Sequence, residues 1–160
     1  YFEKCNILKS NIPGISFTTD IIVGFPGETE EEFMETMDFA EKIGFSKIHV
    51  FKYSPRKGTK AASMEGQISN SIKENRSERL MALSDKMGSD FAEKMTGSVV
   101  NVLFERKTPD GNFFEGHCEN YMKVLTECGK DTGIFPGDIK PVKIIGHSGE
   151  VLLGALQLTR

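Results

Sequence analysis

The sequence predicts an α/β unit followed by a small all-β barrel of the OB-like kind, and three features carry that reading. Residues 15–23, ISFTTDIIV, and residues 47–53, KIHVFKY, are apolar, β-branched runs flanking a helical pattern, as in a parallel βαβ unit. Leu80, Leu83, Met87, Phe91 and Met95 then recur at helical spacing, the stripe of a long amphipathic helix. From Ser98 onward the chain breaks into five short strand-like segments within about 60 residues, the size at which an all-β module closes on itself and loses its edges.

Taken in order, Tyr1-Phe2-Glu3-Lys4-Cys5 reads as the interior of an amphipathic helix without an initiating methionine, which suggests a piece of a longer protein. Residues 15–23 have few polar breaks, as expected of a strand covered on both faces. Thr29-Glu30-Glu31-Glu32 is a capping box, in which hydroxyl and carboxylate each satisfy the other's backbone amide. Phe33, Met37, Ala40 and Gly44 predict a helix of about 15 residues that ends near Gly44. Residues 54–69 form a polar connector containing Pro55, Gly58 and Gly66. Ser71-Ile72-Lys73-Glu74 reads as a second capping box, opening the long helix. Beyond it come Val99 to Phe104, a Pro109-Asp110-Gly111 turn, Asn112 to Gly116, Tyr121 to Thr126, Ile139 to Ile145 and Val151 to Leu156. The division therefore falls between residues 1–95 and residues 96–160.

Composition narrows the function classes. The net charge of −3 offers no global attraction to nucleic acid. Residues 1–95 carry 13 Lys+Arg against 15 Asp+Glu, and residues 96–160 carry 7 against 8, so RNA contact must rest on local patches. Cys5, Cys118 and Cys128 are an odd number at wide spacing, unlike a disulfide framework or a CxxC metal site. Reduced thiols suggest a cytoplasmic protein, and no apolar run reaches the roughly 20 residues of a membrane helix. His49, His117 and His147 are scattered, without metal-ligand spacing.

The Gly24-Phe25-Pro26-Gly27 turn joins the first strand to its helix, where phosphate loops often lie. Glu28, Glu30, Glu31 and Glu32 occupy the positive end of the helix dipole, and Pro26 withholds an amide. A phosphate would meet like charge there. The turn suits a neutral flat group, or a cationic one, against backbone that the glycines expose; a tight turn with no ligand is the alternative.

Gly24-Phe25-Pro26-Gly27-Glu28-Thr29, then Tyr53-Ser54-Pro55-Arg56 followed by Gly58-Thr59, in this order and from about Ile15 to Leu156, resemble the radical-SAM tRNA methylthiotransferases. The resemblance implies that residues 1–95 are the last part of a radical-SAM β/α partial barrel and residues 96–160 a TRAM domain. It implies S-adenosylmethionine as cofactor and two 4Fe-4S clusters, whose CxxxCxxC and auxiliary cysteines have no counterpart here. The chain alone is therefore expected to be inactive and to need the remaining N-terminal part of the protein. In the family, one S-adenosylmethionine is reductively cleaved to a 5′-deoxyadenosyl radical, another supplies the methyl group, and sulfur is delivered at the auxiliary cluster. The product is a methylthio group on C2 of a modified adenosine beside the anticodon.

By the same resemblance, Gly24, Phe25, Glu28, Val50, Phe51 and Tyr53 would bind the cofactor, at its adenine. The TRAM module would grip a tRNA anticodon stem-loop through Arg106, Lys107, Phe114, His117, Asn120, Tyr121 and Lys123, by base stacking and phosphate contacts. Arg56 and Lys57, just past a strand end, are further RNA candidates. The alternative for these residues is a core phenylalanine and solvated surface turns. Ile48-His49-Val50-Phe51 and Gly116-His117-Cys118-Glu119-Asn120-Tyr121 most resemble the branch acting on threonylcarbamoyladenosine. The isopentenyladenosine branch and the branch acting on a ribosomal-protein aspartate stand as alternatives, as does a stand-alone RNA-binding module.

Overall fold

Helix and strand alternate at the start of the chain: α1 (Phe2–Asn11), β1 (Thr18–Val23), α2 (Glu30–Ile43) and β2 (Lys47–Lys52). A short 3-10 turn at Ala61–Ser63 precedes the long α3 (Asn70–Met95). Among the described residues five strands follow: β3 (Val99–Lys107), β4 (Phe113–Cys118), β5 (Lys123–Glu127), β6 (Ile139–Ser148) and β7 (Val151–Leu156). This computed structural model describes residues 1–128 and 133–157; of the segment 96–160, residues 129–132 and 158–160 lie outside the described residues.

The described chain divides into two units, Tyr1–Cys5 with Phe17–Met87 and Asn6–Ser16 with Gly88–Arg160. The last turns of α3 thus group with the barrel, ahead of the division read at residue 96, because Phe91, Ala92 and Met95 pack into the barrel's core.

In the first unit β1 and β2 pair in parallel, Thr18 opposite Lys47 through Val23 opposite Lys52. Val23, Phe33, Ala40, Ile43, Phe45, Ile48, Leu80 and Met87 form its core. The capping box at Thr29 is formed, with the Glu32 amide donating to the Thr29 hydroxyl at 3.2 Å and the Thr29 amide to the Glu32 carboxylate at 2.9 Å. Gly44 ends α2 in the left-handed conformation. Two expectations need correction. Burial along β1 alternates, and Asp20, Ile22, His49 and Phe51 are open on the second face, because the helices of this chain cover only one side of the strands. The second cap lies at Ser69, whose hydroxyl faces the Ile72 amide at 3.4 Å, while Glu74 pairs with Lys52 at 2.5 Å.

The second unit contains a closed barrel in the order β3-β4-β5-β7-β6, with β6 returning to β3. All neighbours are antiparallel except β5 and β7, the arrangement of an OB-like Greek-key barrel. Val102, Phe104, Phe114, Val124, Val142, Ile144 and Leu152 fill it. Gly116 is required by close approach: a Cβ there would lie 2.1 Å from the Leu103 carbonyl oxygen.

Candidate functional site

The turn after β1 is built from its own hydrogen bonds. The Glu28 amide donates to the Phe25 carbonyl at 2.9 Å across Pro26 and Gly27, whose φ is 86°. This residue order suits a type II turn, where proline presets the first central residue and glycine takes the positive φ of the second. The Gly24 amide donates to Glu28 Oε2 at 2.7 Å and the Gly27 amide to the Gly66 carbonyl at 2.9 Å. With the Thr29 amide held by Glu32, none of these four amides is left for an incoming anion, and proline has none to give. The loop is not an anion nest.

The acidic rim is a different matter, and here the sequence reading is corrected. Arg76, on α3 and only 5% exposed in its side chain, lies 2.5 Å from Glu28 Oε2 and donates to the Glu28 carbonyl at 3.1 Å. It also reaches Glu30, which pairs with Arg79 at 2.5 Å. The Arg79 hydrogen bond, more than Arg76, holds the Glu30 carboxyl below the usual range. Two arginines therefore pair with Glu28 and Glu30, half of the four rim carboxylates. Glu28 braces the turn from within.

A flat apolar surface remains. Phe25 is exposed and meets the Tyr53 ring edge-on at 5.2 Å. Phe51 and Ile22 are register partners, both more than half exposed. Val50 points the other way, into the core, so only its backbone can face a ligand on that side. The Tyr53 amide is engaged by the Val23 carbonyl at 2.9 Å, whereas the Tyr53 hydroxyl is buried without a partner among the described residues. Lys73 lies beneath: a Cβ on Gly24 would fall 2.4 Å from its Cγ, and its Nζ sits 5.4 Å from the Tyr53 ring centre. These residues fit a flat, uncharged heterocycle such as the adenine of S-adenosylmethionine. They do not fit an iron–sulfur cluster. No group of three His, Cys, Asp or Glu among the described residues is placed to hold a metal, and burial pushes the Cys118 thiol up, towards its neutral form. Arg56 and Lys57 are exposed in the connector after β2.

On the barrel, the residues read as RNA contacts do not form one set. Arg106, Lys123 and His117 share the outer face of β3, β4 and β5, where His117 is the register partner of both Leu103 and Lys123. Glu115 lies between the two cations, paired with Arg106 Nε through Oε1 and with Lys123 Nζ through Oε2 at 2.6 Å. His117 Nδ1 stands 2.9 Å from Glu105. Tyr121 is 87% exposed and, among the described residues, is the non-glycine residue with positive φ, 65°, a strained conformation held by the hydrogen bond its amide donates to the Cys118 carbonyl at 2.9 Å. Asn120 is structural: its amide group donates to the Gly14 carbonyl at 3.1 Å and its Oδ1 accepts from the Met122 amide at 3.3 Å. Phe114 needs correction as a stacking residue. It is 4% exposed and packs edge-on against Phe104 in the core, so it offers no free ring face; Lys107 lies over it, 5.0 Å from its centre.

Sequence reasoning missed Arg76, Lys73 and Glu115. The first two stand on the i, i+3, i+4 spacing that leads to Leu80, Leu83 and Met87, so a polar residue in step with an apolar stripe was the available signal. Glu115 carried none.

No protein-family model matches the chain. Among curated proteins, the chain is 44% identical over 148 residues to the threonylcarbamoyladenosine tRNA methylthiotransferase MtaB of Bacillus subtilis, covering 91% of this chain and 32% of that one. It is 39% identical to the tRNA-2-methylthio-N(6)-dimethylallyladenosine synthase of Protochlamydia amoebophila, over 98% of this chain and 34% of the relative. The protein of the same name from Caldicellulosiruptor saccharolyticus is 38% identical, over 96% and 32%. The chain spans about a third of the length of these relatives. With likeness of that extent, the chain belongs to the tRNA methylthiotransferase family.

Proposed function

We propose that this chain is part of an enzyme that adds a methylthio group to C2 of N6-threonylcarbamoyladenosine beside the tRNA anticodon. The observation that carries the reading is the 44% identity to a protein named for that substrate, over 91% of the chain. S-adenosylmethionine, when bound, supplies the methyl group and the radical chemistry that opens the adenosine C2 position. Within this chain, Phe25, Phe51 and the Tyr53 ring would bear the flat purine, while Gly24 and Glu28 keep the turn low enough for it to lie down. The barrel would hold the anticodon stem-loop through Arg106, Lys123 and Tyr121. Acting on such a tRNA, the enzyme would work in the cytoplasm.

A second reading has a specific observation behind it, since other relatives of 38–39% identity are named for dimethylallyladenosine. The test is to express the full-length protein that carries this chain in a bacterial host whose tRNA lacks methylthio groups. Its tRNA is then digested and the nucleosides are analysed by mass spectrometry. The expected product is 2-methylthio-N6-threonylcarbamoyladenosine. The dimethylallyl product instead would favour the second reading, and neither product would overturn both.

A further inference from the structure

Glu115 is an oddity on a surface meant for RNA. It sits in the middle of β4, on the outer face of the barrel, yet its side chain is only 8% exposed because Arg106 and Lys123 fold over it. Each carboxylate oxygen serves one cation, Oε1 the Arg106 Nε and Oε2 the Lys123 Nζ. The Lys123 hydrogen bond, and after it that of Arg106, hold its carboxyl below the usual range. The two cations remain 75% and 41% exposed. Because Arg106 uses only its Nε here, the outer edge of its guanidinium stays open to a phosphate.

We propose that Glu115 is a positioning residue for RNA: it fixes Arg106 and Lys123 as a prearranged pair for phosphates of a bound loop, an inference resting on the RNA-binding reading above. A carboxylate on such a face repels phosphate, so by charge alone its presence weakens binding. What it offers in return is order. Arg and Lys are the side chains with most rotamer freedom to lose on binding, and a fixed anion removes that loss beforehand. The two effects have opposite signs, which makes them separable.

The experiment uses the full-length protein and an anticodon stem-loop RNA, with affinity measured across a salt series and folding checked by thermal melting. Glu115→Gln keeps the shape and removes the charge. The expected result is affinity lower by about threefold to tenfold, despite one more net positive charge. Glu127→Gln is the comparison. Glu127 is an exposed carboxylate on β5 outside the Glu115 cluster, and its variant should bind equally or more tightly. Affinity of Glu115→Gln equal to or above the wild type overturns the inference and leaves RNA binding intact. A wild-type protein without salt-sensitive affinity overturns the RNA-binding reading and the inference with it. Should Glu115→Gln melt early, Glu115→Asp carries the test, because it keeps the charge and both cations but draws the carboxylate one methylene back from Arg106 Nε and Lys123 Nζ. Weaker binding then supports the positioning role, and unchanged binding overturns it.

Discussion

Arg76 shows how one side chain can set the form of a ligand-facing turn from behind. Its guanidinium is buried and meets the Glu28 carboxylate, the Glu28 carbonyl and the Glu30 carboxylate together. Glu28 in turn holds the Gly24 amide. Removing the arginine strands a carboxylate that is only 15% exposed, the situation in which breaking a buried ion pair costs about 3–5 kcal/mol. Arg76→Ala is therefore expected to lower the unfolding free energy of the first unit by about 3 kcal/mol, read from urea denaturation. Arg76→Lys should recover less than half of that, since one ammonium cannot replace a planar fork serving three oxygens. A change below about 1 kcal/mol for the alanine variant would show that the turn holds itself without help from α3.

At the scale of elements, the sequence reveals strands and helices where periodicity is strong and loses them where polar groups do core work. The capping box at Thr29, the end of α2 at Gly44 and all five barrel strands are legible because each follows a local rule of spacing or turn chemistry. The open face of β1 is not legible, since Ile22 is as apolar as a buried residue and only the absence of a covering element exposes it. Nor is the start of α3, where Ser69 and Ser71 compete as caps. The buried face of α3 contains Lys73, Arg76, Ser77 and Ser84, which dilutes the apolar stripe that would mark it. Ser84 joins helix to strand: its hydroxyl accepts the Ile48 amide at 2.9 Å in the interior. Ser84→Ala should leave that amide without a partner and cost about 1–3 kcal/mol. Amide hydrogen exchange would show it most clearly, as faster exchange at Ile48 and its β2 neighbours than in the barrel. Unchanged protection at Ile48 would mean the strand pairing alone suffices.

For the molecule as a whole, the acidic groups with lowered carboxyl values are unevenly shared between the two units. Among the described residues, Glu30 belongs to the first unit, while Asp110, Glu115, Glu119 and Asp138 belong to the second. Asp110 is held by the Thr108 hydroxyl and then the Asn112 amide, Asp138 by the Phe135 amide and then Lys140. In each, the folded form is a better acid than the unfolded one, whose reference is 3.8 for Asp and 4.5 for Glu. Each therefore adds stability above those reference values, and that stability is lost as pH falls through the lower folded values. Acidification from about pH 5 to pH 2 should weaken the barrel more than the βα unit, because the Glu115 ion pairs and the Asp110 turn are lost once these carboxyls are forced to protonate below the usual range. Residue-resolved amide exchange along that titration is the measurement, and barrel amides should lose protection at higher pH than those of β1 and β2. Glu115→Gln, which has no proton to gain, should show a shallower acid loss in the barrel and leave the βα unit unchanged. If β1 and β2 open first, or if the variant's barrel follows the same acid profile as the wild type, the distribution of these carboxylates does not govern acid stability.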